Sequence, residues 1–286
     1  MDTVSLAGSL EARLRAVREA GFGQIMLSAR DLVEYPAGEA AAIAVVRGSG
    51  LRVTGFQVLR DFEGLPSDLH AYKLDVAKAM LTMCRALGSK LLLVCSSTSA
   101  HATGDPEVLA RDLRKLATLA VPLDIRIAYE ALSWGKRIKD FPQASDLVGA
   151  ANSPNLGLAI DAFHILATRT ELDQLDLIDA QKLFLVQLSD FMWRELPSIE
   201  ERINTARHFR VFPGEGLHRA ELAELVQRLD DKGYRGDYSF EVFNDDYTQL
   251  PPALVAQRAR QSAKWITDHV SRRSIPVRRP VREARG

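Results

Sequence analysis

SLEARLRAVREAGFGQIMLS (9–28) holds two patterns side by side. In its first half Leu10, Leu14 and Val17 return at helical spacing, and Gly21 stops the helix. Its end, residues 24–28, is a short apolar run of strand length. The same alternation continues along the chain. HAYKLDVAKAMLTMCRALG (70–88) is another helical stretch, closed by Gly88, and RAELAELVQRLDDKGY (219–234) is a third, closed by Gly233. Eight runs read as strands: 3–6, 24–28, 52–59, 91–96, 126–132, 156–163, 183–190 and 238–244.

Strands that alternate with helices predict parallel βα units. The runs are nearly continuous in apolar residues, as expected when helices cover the outside of a sheet and side chains fill the inside. The strand count favours one closed (β/α)8 TIM barrel over an open doubly wound sheet, and no Gly-rich GxGxxG turn follows the first run. The 286 residues suit one such barrel, and with 47% of them hydrophobic a sizeable core can form. The expected division is a catalytic barrel over 1–270 and a basic Pro/Arg-rich tail over 271–286, SRRSIPVRRPVREARG from Ser271 onward. That tail reads as a surface-draped or unstructured segment, or as a contact arm for an acidic partner.

Lys plus Arg equals Asp plus Glu at 37 each, so the body of the protein has no electrostatic footprint for nucleic acid. Neither Cys84 nor Cys95 belongs to a CxxC pair, and both sit in apolar stretches where a buried reduced thiol is expected. A cytoplasmic location is expected, since no signal-peptide pattern and no membrane-length apolar window are seen. A homodimer is an open expectation.

In a TIM barrel the active site lies at the C-terminal strand ends, so polar residues that end an apolar run carry the information. Four successive runs end this way. RIAYEAL (126–132) carries Glu130, LGLAIDAFH (156–164) carries Asp161, LFLVQLSD (183–190) carries Gln187, and YSFEVFND (238–245) carries Glu241. A buried carboxylate is costly unless it is paired or binds a cation. Any one of them could pair with an arginine across the barrel, but together they could surround one hard divalent metal with oxygen ligands. Mg2+ or Mn2+ fits that shell, and Co2+ could substitute; a thiolate zinc site is not expected.

His164 lies three residues after Asp161, as a general acid or base beside the metal or as a helix-start histidine bonded to backbone. His208 and His218 flank a loop and read as surface residues. Candidate substrate-binding groups are Arg60, Lys136, Arg137, Ser189 and Arg210, since guanidinium matches carboxylate bidentately. Trp134 and Phe62 could wall the site or merely cover a barrel end.

These strand-end residues resemble those of the sugar-phosphate isomerase/epimerase superfamily, the xylose-isomerase-like barrels. More narrowly, QVLRDFEG (57–64), YEALSWG (129–135), NLGLAIDAFHIL (155–166), FLVQLSD (184–190), RHFRVFPGEG (207–216) and FEVFND (240–245) resemble bacterial 3-dehydroshikimate dehydratases over most of residues 3–265. The resemblance implies a lyase of quinate/shikimate degradation that converts 3-dehydroshikimate to protocatechuate via a metal-stabilised enediolate. It implies Glu130, Asp161, Gln187 and Glu241 as metal ligands and His164 as catalytic acid/base. An Arg-His pair is expected after EALSWG, whereas this chain has Lys136-Arg137. Some relatives carry a second, dioxygenase-like domain, and this chain looks like the barrel half.

The same machinery would serve a ketose or sugar-phosphate isomerase or epimerase, with Glu130 and Glu241 as acid and base, or an inosose dehydratase. An apurinic-site endonuclease is disfavoured by the lack of many histidine ligands. A non-catalytic binding barrel would require a vestigial metal site. All the favoured readings take a small anionic carbocyclic or sugar substrate, without nucleic acid or membrane as partner.

Overall fold

Helical and strand patterns become consecutive βα units in the computed structural model, which describes residues 1–270. In chain order the elements are α1 (Leu10–Glu19), β1 (Gln24–Ser28), α2 (Arg30–Val33), α3 (Glu39–Gly48), β2 (Arg52–Leu59), α4 (Ser67–Leu87) and β3 (Leu91–Cys95). They continue with α5 (Pro106–Ala120), β4 (Arg126–Glu130), α6 (Phe141–Ala151), β5 (Leu156–Asp161), α7 (Ala162–Thr168) and β6 (Leu183–Leu188). The last are α8 (Ile199–His208), α9 (Arg219–Asp231), β7 (Asp237–Phe240), α10 (Asp245–Thr248) and α11 (Pro252–Trp265). Local chemistry sets several helix starts. Ser9, Asp105 and Asp140 cap α1, α5 and α6, and Ser198 with Glu201 forms a capping box on α8.

The strands are parallel and neighbour each other in sequence order, from β1 to β7. Seven strands therefore stand where the sequence suggested eight, and the barrel is nearly closed. Residues 3–6 do not form a strand: Thr3–Ser5 is a single 3-10 turn. Its hydroxyls replace the ladder, since Val242 N donates to Ser5 Oγ at 2.9 Å and Thr3 Oγ1 donates to Asp31. The gap between β1 and β7 is closed by Met1 and Asp2 instead. Met26 N donates to Met1 O at 2.9 Å, and Asp2 N donates to Phe240 O at 3.0 Å.

Alternation along the strands divides the barrel interior into layers. Met26, Leu91, Leu93, Ala128, Ala159, Phe184 and Leu185 form an apolar lower cluster. Two residues further along β3, β4, β5 and β6 come Cys95, Glu130, Asp161 and Gln187. The pairing keeps these level, with Cys95 opposite Glu130 and Asp161 opposite Gln187. Among the described residues no helix is long and apolar enough to cross a membrane. The Arg-rich stretch 271–286 lies outside the described residues.

Candidate active site

All four strand-end residues are buried at the top of the barrel: Glu130 and Asp161 end β4 and β5, Gln187 is in β6, and Glu241 immediately follows β7. Ligand atoms of Glu130, Asp161 and His164 lie within 4.8 Å of one another. Arg210 joins the set. Its Nη1 donates to Asp161 Oδ2 at 2.8 Å and to Glu241 Oε2 at 3.2 Å, and reaches Ser189 Oγ at 3.4 Å. The guanidinium also lies over the Phe163 ring at 4.5 Å.

The path of residues 209–211 puts Arg210 there. Asp190 bridges Val211, and Phe209 bridges Asn244, so this segment runs between the ends of β6 and β7. The loop continues to Gly216, where a Cβ would stand 2.4 Å from Asp190 Oδ1, so only glycine lets the chain pass. Asp190 Oδ1 accepts from Phe191 N and His218 N and faces His218 Nδ1 at 2.9 Å. His218 is therefore a buried anchor of this loop and not a surface residue. His208 is half-buried and pairs with Asp245.

The charge in the cluster is unbalanced. Asp2, Glu130, Asp161 and Glu241 are all buried; Arg210 pairs with Asp161 and Glu241, and the buried N-terminal amine is the cation that acts on Asp2. Burial first, then the charges of Glu241 and Asp161, push Glu130 well above the ordinary carboxylate range. Burial raises Glu241 likewise, with Arg210 opposing. A divalent cation would offset the excess negative charge, and the donor set suits one. Gln187 Oε1 fits the same reading: it is buried without a hydrogen bond partner.

His164 sits beside the cluster with a defined ring state. Ser133 N donates to its Nδ1 at 3.0 Å, so the neutral ring carries its proton on Nε2. That Nε2 faces Glu130 Oε1 at 3.5 Å and Asp161 Oδ2 at 3.7 Å. Trp134 and Phe163 hold the ring edge-to-face, with centroids 5.0 and 5.3 Å away. Burial lowers its pKa to about 3, so the ring is neutral near pH 7.

Above these groups opens a cavity of about 1100 Å³, lined in part by Glu130, Glu241, His164, Trp134, Arg60 and Arg210. Arg60, at the end of β2, is exposed and makes no ion pair among the described residues. The other nominated groups go elsewhere. Lys136 N donates to Ser97 O at 2.7 Å, which ties the 132–136 turn back toward β3. Both Lys136 and Arg137 are exposed outside the cavity lining, and the Arg137 guanidinium lies against Gly104. Ser189 is buried behind Arg210, and Phe62 is buried against His70, away from the cavity. Sequence reading did not nominate Asp2, Ser133 or Cys95. Cys95 Sγ donates to Glu130 Oε2 at 2.8 Å, and its place two positions after Leu93 was the signal that it shares the inner face.

Comparisons with known proteins bear on this geometry. The profile of the xylose isomerase-like TIM barrel family matches residues 14–269. A 3-dehydroshikimate dehydratase of Pseudomonas aeruginosa is 37% identical over 266 residues, covering 93% of this chain and 41% of that protein. An inosose isomerase of Halalkalibacterium halodurans is 25% identical over 217 residues, covering 75% of this chain and 68% of that protein. A solved xylose isomerase-like TIM barrel/4-hydroxyphenylpyruvate dioxygenase fusion protein superposes with a TM-score of 0.88 at 34% identity, over 94% of this chain and 42% of that one. The chain thus spans about two fifths of the length of the dehydratase and fusion-protein relatives. On its fold and on the profile match, this chain belongs to the xylose isomerase-like TIM barrel family.

Proposed function

We propose that this barrel is a metal-dependent dehydratase that converts 3-dehydroshikimate to protocatechuate with loss of water. The observation that carries the reading is the juxtaposition of the unbalanced carboxylate cluster with His164 at the foot of a cavity that also has Arg60. Similarity to the Pseudomonas dehydratase supports the choice of substrate. Glu130, Asp161, Gln187 and Glu241 would hold the cation. When bound, a hard divalent ion supplies positive charge against which negative charge developing on a substrate oxygen is stabilised.

The chain's own residues do the rest. Arg60 receives the ring carboxylate at the cavity wall. Arg210 Nη1 is engaged by Asp161 and Glu241 and holds both acids in direction, while its guanidinium also lines the cavity as a further candidate partner for the carboxylate. Glu130, which lacks the Arg210 hydrogen bonds, would be ionised once a cation offsets the neighbouring acids, and as the carboxylate it takes the proton from the carbon next to the ketone. It then delivers that proton to the departing hydroxyl, which leaves as water, and the ring enolises to the aromatic diol. His164 contributes a fixed Nε2–H donor to a substrate oxygen, since Nδ1 is occupied by Ser133.

Purified protein with Mn2+ or Mg2+ and 3-dehydroshikimate is expected to show growth of protocatechuate absorbance. His164→Ala should bind Mn2+ as the wild type does yet turn over about a hundredfold more slowly or worse. Arg60→Ala should raise KM by about tenfold while kcat holds, the size of one lost charge-assisted contact. A second reading, isomerisation of an inosose or ketose, is favoured by the inosose isomerase relative. Turnover of such a substrate, with no product from dehydroshikimate under either metal, would replace the dehydratase.

A further inference from the structure

We propose that Asp2 is a positioning residue that fixes which end of the Gln187 amide is offered to a bound cation. This rests on the reading of Gln187 as a metal ligand. Asp2 lies in the short segment that closes the barrel between β1 and β7, and it is fully buried. Its Oδ1 accepts from Ser239 Oγ at 2.6 Å, and its Oδ2 accepts from Gln187 Nε2 at 3.3 Å. A carboxylate can only accept hydrogen bonds, so it can face the NH2 end of the amide but not the oxygen. The oxygen is thereby turned away from Asp2, and it is the atom of Gln187 that has no partner. A hard cation takes oxygen and not an amide NH2. Glu241 also takes a hydrogen bond from the same amide, in the same sense as Asp2, but it is engaged by Arg210 and is itself one of the four candidate ligands. Asp2 is thus the acid in contact with Gln187 that has no competing duty in the cluster.

Asp2→Asn tests this at almost constant shape. An asparagine can donate as well as accept, so it holds either orientation of Gln187. Mn2+ affinity of the full chain, measured by titration with EPR detection of free Mn2+, is expected to fall about tenfold or more. Removal of a nearby negative charge would also weaken binding, and the Gln187→Leu background separates the two causes. If Asp2 acts through Gln187, adding Asp2→Asn to Gln187→Leu causes no further loss. A further tenfold loss in that background overturns the proposal, as does wild-type affinity in folded Asp2→Asn. Should Asp2→Asn fail to fold, Ser239→Ala frees the other Asp2 oxygen and should weaken Mn2+ binding in the same direction; unchanged affinity there overturns it. A wild-type chain that binds no Mn2+ would instead remove the metal reading itself.

Discussion

Asp31 and Glu130 are both buried acids at the mouth of the barrel, and their surroundings are opposite. Asp31 is saturated. Its Oδ1 accepts from Arg13 Nη1 at 2.7 Å, and its Oδ2 accepts from Ser28 N at 2.8 Å and from the Thr3 hydroxyl. It joins the first turn of the chain, α1 and the end of β1. Glu130 has a thiol at Oε2, a histidine Nε2 at 3.5 Å from Oε1 and two other acids nearby. One carboxylate stabilises the fold, and the other is held in it at a cost. A buried charge that the fold does not satisfy points to something that arrives later.

The largest effect should come from the cluster. Glu241→Gln is expected to cut metal-dependent turnover at least about a hundredfold. The metal-free variant should melt no lower than the wild type, because a raised, repelled carboxylate has been neutralised. A clear fall in metal-free melting temperature would place Glu241 with Asp31 as a structural acid. Asp31→Asn should do the reverse. Loss of the ion pair and of a buried acceptor should destabilise by about 1–3 kcal/mol in urea unfolding, with kcat and Mn2+ affinity unchanged in the folded protein.

Glu63 lies between these extremes and sharpens the contrast. Its Oε1 accepts from Ser97 N at 2.6 Å and from Tyr129 OH at 2.8 Å, but its buried Oε2 has no partner. Burial pushes its pKa from 4.5 to about 7. The folded state therefore prefers the protonated acid. Its contribution to stability is fully present below pH 4.5 and is lost as pH rises through about 7. Glu63→Gln keeps both hydrogen bonds to Oε1 and removes the charge. It should leave stability at pH 4.5 nearly unchanged and raise it at pH 8 by roughly 1–3 kcal/mol. Equal pH slopes for variant and wild type in urea unfolding would show that Glu63 is not strained.

Much of the site was legible before folding was considered. Glu130, Asp161, Gln187 and Glu241 announce themselves because oxygen-bearing side chains end runs that are otherwise apolar. Period-2 alternation then places them on one face. The barrel was legible for the same reason, from local repeats of helical and strand spacing. The cations were legible only in part: Arg60 and Arg210 line the cavity, and Lys136 and Arg137 do not. Lys136 and Arg137 follow a strand end just as Arg60 does, yet a backbone bond to Ser97 turns their stretch outward.

What the sequence alone determined is the set of oxygen-bearing strand-end residues and the layered barrel that presents them, because both depend on spacing within a single element. What only the tertiary structure decided is the company those residues keep. Arg210 meets Asp161 across 49 residues, and Asp2 meets Gln187 across 185. Ser133 fixes the proton on His164 from the end of the neighbouring strand, 31 residues away. Such pairings follow from how the barrel closes and where its loops cross, and no periodicity within one segment encodes them.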